Sequence, residues 1–270
     1  MKTNKINIAV LITCHNRKLT TYSCIKNLLK TKKKNIKLKI YLVDDGSTDN
    51  TTFFLKKKKI PHLKIIKGNG NLFWCGGTNL AWQNANKDNI IFDYYLWLND
   101  DTNIFSNSIN MLLKVEKIYK TKKFICVGSC YSNSNDKTRS YGGAVNLKSK
   151  IRIFKNKPLK PTLKYQKINR FNGNIVMISK KAFETVGYIN PKLKHYFGDM
   201  DYAIKSERYK ISTFLAPNFL GQCYNDSKKL KKNFKFKFVK LKDGFSFCKE
   251  NGGLFWFLHF VSFLKRIVFE

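Results

Sequence analysis

The chain has 270 residues, of which 43% are apolar, enough to bury the core of one large domain or of one domain with an appendage. Its 52 lysine and arginine residues outnumber 17 acidic residues, which gives a formal net charge of +35. This charge favours binding to nucleic acid, an anionic membrane surface or a phosphorylated substrate. The alternative is that a lysine-rich surface serves general solvation. No stretch reaches the roughly 20 apolar residues of a membrane-spanning helix, and the 7 cysteines include no C-x-x-C pair, so the composition argues against a transmembrane protein, a disulfide framework and a zinc site.

Strand and helix patterns alternate along the first 130 residues. The apolar run at 8–12 follows two lysines but is too short for a signal peptide, so we expect it to be the first core strand. Hydrophobic periodicity predicts strands over 6–13, 38–43, 63–66, 94–98 and 124–127, and helices over 19–29 and 109–118. A further helix, capped within 47–49, is expected to carry residues 53–55, and another is expected to run from a Thr78 cap through Ala85. This alternation favours an α/β fold with a mainly parallel sheet flanked by helices.

The pattern loosens after residue 130. Ser, Asn, Lys and Gly dominate residues 131–170, which predicts loops and short antiparallel strands. A strand over 175–179, helices over 180–186 and 201–209, and a strand over 211–215 are expected to follow, with Gly187 closing the first of these helices.

Scarce carboxylates gather in three short clusters: Asp44-Asp45, Asp100-Asp101 and Asp199-Met200-Asp201. The first two follow apolar strands, and ligands of parallel sheets bind beyond the carboxyl ends of the strands. Paired acids at a strand end need a balancing cation, and a divalent metal that carries a diphosphate is one candidate. The alternative is that each cluster caps the helix that follows it.

Residues 69–79 form a stretch rich in Gly and Asn that leads into a predicted helix capped by Thr78. Its backbone N–H groups could face a phosphate or a sugar, or the stretch could be a plain structural loop. It matches neither the Walker loop nor G-x-G-x-x-G. His15 lies just past the first strand and His195 lies near Asp199, and a structural role is favoured for both.

The order of these motifs resembles that of family 2 glycosyltransferases of the GT-A fold, and the likeness covers about residues 6–226. The rhamnosyltransferase-like branch is most similar, mainly through Asn-Leu-Phe-Trp-Cys-Gly-Gly. The motifs that carry the resemblance are LITCHNR (11–17), VDDGSTD (43–49), GNLFWCGGTN (70–79), NDD (99–101) and FGDMD (197–201).

The resemblance implies an inverting reaction in which Asp199 is the catalytic base and Asp101 holds Mg²⁺ or Mn²⁺ on the donor diphosphate. Two departures stand out: Gly198 replaces the glutamate usual before the base, and no late histidine completes the metal site. Asn225 or Asp226 is expected to substitute for that histidine, and Asp201 is a further candidate acid. The implied nucleotide-sugar-binding residues are Thr13, His15, Arg17, Asp44, Asp45, Gly46, Asn71, Trp74, Gly76, Gly77, Asn79, Asn99 and Asp100.

The domain organisation predicted from this resemblance is a catalytic domain over 1–226 and a basic, aromatic C-terminal segment over 227–270. The catalytic domain divides into a nucleotide-binding half at about 1–130 and an acceptor half at about 131–226. The C-terminal segment interleaves lysine with phenylalanine over 228–242 and is apolar over 254–264. It is expected to be a helical appendage that lies on an anionic membrane surface or packs on the fold or on a second subunit of a homodimer.

The expected partners are a UDP- or TDP-sugar and a glycan or lipid-linked acceptor, with a role in cell-surface polysaccharide synthesis. The expected location is cytoplasmic, peripheral on the inner face of the membrane. The alternatives are a nucleotidyltransferase or other nucleotide-sugar enzyme, and a basic nucleic-acid-binding protein. No specific nucleic acid is expected, because the acidic clusters would repel phosphate.

Overall fold

A computed structural model describes residues 5–31, 35–132, 137–147, 156–224 and 234–251, together with residues 257, 260, 261, 263 and 264. The strands in these ranges are β1 (Ile6–Cys14), β2 (Ile36–Asp44), β3 (Leu63–Lys67), β4 (Tyr94–Leu98), β5 (Asn103–Ile104), β6 (Phe124–Tyr131), β7 (Arg139–Tyr141), β8 (Gly143–Asn146), β9 (Asn156–Pro158), β10 (Gln166–Lys167), β11 (Arg170–Phe171), β12 (Ile175–Ser179) and β13 (Ser212–Gln222). The helices are α1 (Lys18–Lys30), α2 (Thr51–Lys57), α3 (Phe73–Asn86), α4 (Ser108–Ile118), α5 (Lys180–Val186), α6 (Gly198–Arg208) and α7 (Phe234–Asn251).

The strands form a large mixed sheet and a small antiparallel one. The large sheet has the order β10-β13-β6-β12-β4-β1-β2-β3, and β11-β8-β9 form the small sheet. Strands β4, β1, β2 and β3 run parallel, whereas β12 lies antiparallel between β4 and β6. The predicted α/β fold, with a mainly parallel central sheet flanked by helices and a small antiparallel region, is confirmed.

Two hydrophobic cores cover the two faces of the large sheet. Successive side chains of β1 point to opposite faces, so Ile8, Val10 and Ile12 enter one core and Ala9 and Leu11 the other. Helix α1 packs in the first core and helix α3 in the second. The parallel strands are therefore buried on both faces, which explains their continuous apolar runs.

Helix α3 differs from the sequence prediction. It begins at Phe73 and not after Thr78, so Gly76 and Gly77 lie inside the helix. The reason is a distant cap: the Asp45 carboxylate accepts the N–H groups of Gly70 and Phe73, each at 2.8 Å. Gly77 also lets α3 approach β1, because a Cβ there would lie 2.3 Å from Thr13 Cγ2.

The C-terminal helix α7 packs on the rest of the fold along one face. Val239, Asp243, Phe247 and Asn251 recur every four residues and are all buried. Phe263 is also buried, and its ring meets that of Phe197 edge-on. Among the described residues, none of the helices combines the length and the hydropathy that a membrane-spanning segment requires. The predictions for 225–233 and for most of 252–270 lie outside the described residues.

Candidate active site

A cavity of about 430 Å³ opens at the carboxyl edge of the parallel strands. It brings together motifs that are far apart in sequence, including 13–17, 99–101 and Asp199. Its lining residues are Thr13, Cys14, His15, Arg17, Asp45, Gly70, Phe73, Trp74, Asn99, Asp100, Asp101, Tyr141, Asn172, Gly173, Asn174, His195 and Asp199.

The acid pair after β4 is bridged by an arginine. One terminal nitrogen of Arg17 donates to Asp100 Oδ1 at 3.2 Å and to Asp101 Oδ2 at 2.9 Å. Thr21 Oγ1 donates to the second oxygen of Asp100 at 3.3 Å. Arg17 therefore supplies the positive charge that two adjacent carboxylates need.

The two members of this acid pair have different surroundings. Burial raises the pKa of Asp100 to about 7 and the neighbouring charge of Asp101 adds to this shift, while Arg17 opposes it. The side chain of Asp101 is 33% exposed, compared with 9% for Asp100. Asp101 is thus the carboxylate of the pair that a ligand can reach more readily.

The acids at the end of β2 serve to hold local structure. Asp44 accepts the N–H of Ser47 at 3.0 Å and the hydroxyl of Thr52 at 2.5 Å. Asp45 uses its two oxygens to anchor Gly70 and Phe73, as described above, and its backbone carbonyl accepts the Nδ1–H of His15 at 2.7 Å. That bond fixes the tautomer of His15.

Asp199 lies in the first turn of α6 and lines the cavity. Its carboxylate accepts the N–H of Gly173 at 3.1 Å and the N–H of Met200 at 2.8 Å. Burial raises the pKa of Asp199 above its ordinary value, against the opposing effect of these hydrogen bonds. Gly173 has no room for a side chain, because a Cβ there would lie 2.3 Å from the Trp74 ring.

The neighbouring Gly198 explains a departure noted in the sequence. A Cβ at Gly198 would lie 2.3 Å from the sulfur of Cys75, in the first turn of α3. A glutamate cannot fit at this position while Cys75 keeps its place.

Several predicted binding residues lie outside the cavity lining. Asn79 is buried, donates to the carbonyl of Ile189 at 2.7 Å and accepts from Gln83 at 2.7 Å. Asp201 is buried and paired with Lys205 at 2.8 Å and Asn251 at 2.9 Å. The cavity likewise does not include Asp44, Gly46, Asn71, Gly76 or Gly77. Asn225 and Asp226 lie outside the described residues.

The structure also adds residues to the site. Asn172, Gly173 and Asn174 precede β12, and Tyr141 ends β7. The Asn-Gly-Asn run before an apolar strand was the available signal, but the sequence did not show that β12 runs antiparallel. That direction brings the start of β12 to the carboxyl edge of β4, where Ile175 pairs with Leu98.

The residues after β4 fit a metal ion shared with a phosphate ligand. Within the described ranges, no group of three His, Cys, Asp or Glu side chains is arranged to hold a metal by itself. Asp101 offers a reachable carboxylate, and Asn99 Oδ1 is buried with no hydrogen-bond partner among the described residues. Mg²⁺ and Mn²⁺ suit such a site, since one or two carboxylates plus substrate phosphates are their usual ligands.

The comparison that decides the family is a match over residues 9–187 to the model described as glycosyl transferase family 2. The chain belongs to this family. The match covers more than half of the chain and includes the segments around β1, β2 and β4. No curated protein matches the chain.

Several solved structures share this fold. Their sequence identity to this chain is low, so the likeness shows the fold alone. GalNAc-T7 with UDP, GalNAc and Mn²⁺ is 15% identical with a TM-score of 0.62, and the match covers 81% of this chain and 43% of that one. The mannosyltransferase PcManGT from Pyrobaculum calidifontis, with GDP-Man and Mn²⁺, is 11% identical with a TM-score of 0.58, over 90% of this chain and 62% of that one. S. aureus TarS 1-349 is 10% identical with a TM-score of 0.60, over 91% and 81%. The chain therefore spans less than two thirds of the length of GalNAc-T7 and of PcManGT.

Proposed function

We propose that this protein is an inverting glycosyltransferase that moves a sugar from a nucleoside-diphosphate sugar to a hydroxyl of a glycan or lipid-linked acceptor. The observation that carries the proposal is the single cavity in which Asp100-Asp101 and Asp199 meet. The family match supports a glycosyltransferase over a nucleotidyltransferase or a nucleic-acid-binding protein. The UDP and GDP-Man in the GalNAc-T7 and PcManGT structures support a nucleotide-sugar donor.

Asp199 takes the role of general base. It removes the proton of the acceptor hydroxyl while that oxygen attacks the anomeric carbon and the nucleoside diphosphate leaves. Of the four acids that line the described cavity, Asp100 and Asp101 are bridged by Arg17, whereas Asp45 and Asp199 both accept backbone N–H groups. The motif resemblance assigns the base to Asp199. One base suffices for direct displacement with inversion, because no second carboxylate has to form a covalent intermediate.

The N–H groups of Gly173 and Met200 fix the orientation of the Asp199 carboxylate. Its raised pKa makes it a better proton acceptor than an ordinary aspartate once it is ionised. The backbone hydrogen bonds thus orient the carboxylate toward the proton that it accepts, and burial increases its strength as a base.

The donor end of the cavity is assigned to the motif after β4. Asp101 would hold Mg²⁺ or Mn²⁺, with Asn99 and Asp100 beside it, and Arg17 lies close enough to meet a diphosphate. A bound divalent ion would offset the negative charge that grows on the leaving diphosphate. We expect a UDP- or TDP-sugar as donor, and a hexosyl or rhamnosyl group as the sugar.

The test is a thermal-shift screen of UDP-, TDP- and GDP-sugars with and without Mn²⁺, followed by detection of the released nucleotide. Asp101→Ala should remove the Mn²⁺-dependent stabilisation by nucleoside diphosphate. Asp199→Asn should keep it and lower transfer by about 10²-fold or more. Glu184→Gln is the matched control, since Glu184 is an exposed acid of α5 that lies outside the cavity. Unchanged metal-dependent binding in Asp101→Ala, or near-normal turnover in Asp199→Asn, would contradict the assignment.

We also propose that the protein works as a peripheral protein on the inner face of the membrane, where it meets acceptors for cell-surface polysaccharide. Support comes from the net charge of +35 and from exposed Lys242, Phe245 and Lys249 on α7, with Phe257 60% exposed beyond it. Each lysine near an anionic surface contributes on the order of 1 kcal/mol.

Liposome flotation of the full chain tests this role. Lys242→Glu/Lys249→Glu should lose binding to anionic vesicles, whereas Lys87→Glu/Lys122→Glu, with the same change in net charge on other exposed sites, should retain it. Equal flotation of the two variants would refute a membrane role for α7.

A further inference from the structure

The buried carboxylate of Asp243 on α7 binds three successive backbone N–H groups beside the cavity. It accepts from Lys194 at 3.1 Å, from His195 at 2.9 Å and from Tyr196 at 2.9 Å. Asp243 is only 2% exposed. A buried carboxylate requires such compensation, so its position and that of the three amides are tied together.

Helix α7 contacts the segment 194–201 at two further points, one turn apart. The ring of Phe247 stacks on that of Phe197 with centroids 5.2 Å apart and an interplanar angle of 22°. Asn251 donates to Asp201 at 2.9 Å. Asp243, Phe247 and Asn251 follow a spacing of four residues, so a single face of α7 holds the segment along its whole length.

The segment held in this way contains the reacting part of the proposed site. His195 and Asp199 both line the cavity, and Phe197 takes a left-handed backbone conformation (φ 65°) at the turn into α6. The other side of the segment is joined to α3, where the N–H of Cys75 donates to the carbonyl of Lys194 at 2.9 Å. The segment is therefore fixed between α3 and α7.

We propose that Asp243 is a positioning residue for catalysis, which makes α7 part of the active site rather than an appendage to it. This inference rests on the proposed function, because it takes Asp199 as the base. Loss of the Asp243 clamp lets residues 194–196 shift and moves Asp199 relative to the acceptor hydroxyl. A displacement of about 1 Å can lower a rate by about 10²-fold without changing how the donor binds.

The main variant is Asp243→Asn in the full chain. The amide keeps one acceptor oxygen but turns an NH₂ group toward backbone N–H donors, so at least one of the three bonds is lost. We expect kcat to fall by about 10- to 100-fold while KM for the donor changes by less than about twofold. Glu250→Gln is the matched control: it is the same chemical change on the same helix, at an exposed acid that accepts a hydrogen bond from Asn190. Its kcat should equal that of the wild type.

Hydrogen exchange measured by mass spectrometry provides a second readout that needs no substrate. The peptide that contains amides 194–196 should exchange faster in Asp243→Asn than in Glu250→Gln, with exchange of the central strands β1 and β4 unchanged. This arm separates two failures. If the wild type transfers no sugar but the exchange result holds, the proposed function fails and the clamp stands.

The proposal is overturned if kcat is the same in the two variants, or if kcat and donor affinity fall together with global destabilisation. Phe247→Leu keeps apolar volume and removes the stacking on Phe197, and it serves if Asp243→Asn does not fold. Like Asp243→Asn, this variant should have a lower kcat and an unchanged KM for the donor. A fall in kcat that is matched by an equal loss of donor affinity would count against the clamp.

Discussion

The contact between Gly198 and Cys75 leads to a prediction whose sign depends on the partner residue. Gly198 begins α6, and a Cβ there would lie 2.3 Å from the sulfur of Cys75. The perturbation is Gly198→Ala, made once in the wild type and once in Cys75→Ala. The second background removes the sulfur and keeps the backbone of α3.

Two effects of opposite sign decide the magnitude. An ordinary contact between these atoms is roughly 3.5–4.0 Å, so the helices must separate by more than about 1 Å, and such overpacking costs about 1–3 kcal/mol. Alanine in place of glycine in a helix favours folding by about 0.5–1 kcal/mol. We therefore expect Gly198→Ala to lower the free energy of unfolding by about 1–2 kcal/mol in the wild-type background. In the Cys75→Ala background it should raise that free energy by up to about 1 kcal/mol.

Urea and thermal unfolding of the four proteins measure the coupling. For a chain of this size, the wild-type loss corresponds to a fall in Tm of roughly 2–8 °C. Sugar transfer should fall in Gly198→Ala and recover in the double variant. The reason is that separating the helices in the single variant also moves Asp199. The same change in stability in both backgrounds would refute the steric explanation for the missing glutamate.

Three further predictions concern the cavity. Because burial raises the pKa of Asp199 and the base must be deprotonated, kcat should decrease as pH falls through that raised pKa, above the ordinary aspartate value of about 3.9, and a flat log kcat profile from about pH 4 to 8 would contradict this. Asp45→Asn loses one of the two acceptors that hold Gly70 and Phe73, so stability should fall by about 1.5–3 kcal/mol and nucleoside diphosphate should bind more weakly; an unchanged Tm would show that these bonds contribute little. Arg17→Gln leaves Asp100 and Asp101 without their bridging cation, so Mn²⁺ should bind about tenfold more tightly in the absence of nucleotide by calorimetry, and equal affinities would exclude competition between Arg17 and the metal.

The secondary structure near the site was predictable because its patterns are local. Strand β4 and helix α5 have the predicted bounds, because a buried apolar run and a helix that Gly187 closes are both recognised from a few neighbouring residues. The predicted start of α3, directly after a Thr78 cap, was wrong by six residues, because the first turn is capped by Asp45 and not by a neighbouring Thr. Prediction from neighbouring residues cannot identify a cap that comes from a distant part of the chain.

The sequence by itself determined the alternation of strands and helices, the position of two acidic clusters at strand ends and the order of all three along the chain. Those features follow from hydrophobic periodicity and from the spacing of polar residues, which every chain segment carries within itself. The tertiary structure alone decided that Arg17 bridges the acid pair, that the antiparallel β12 brings Asn172–Asn174 to the cavity, and that Asp243 holds residues 194–196. Each of these contacts joins residues separated by dozens of positions, and such contacts form only when packed helices and strands bring the backbone segments within hydrogen-bonding distance.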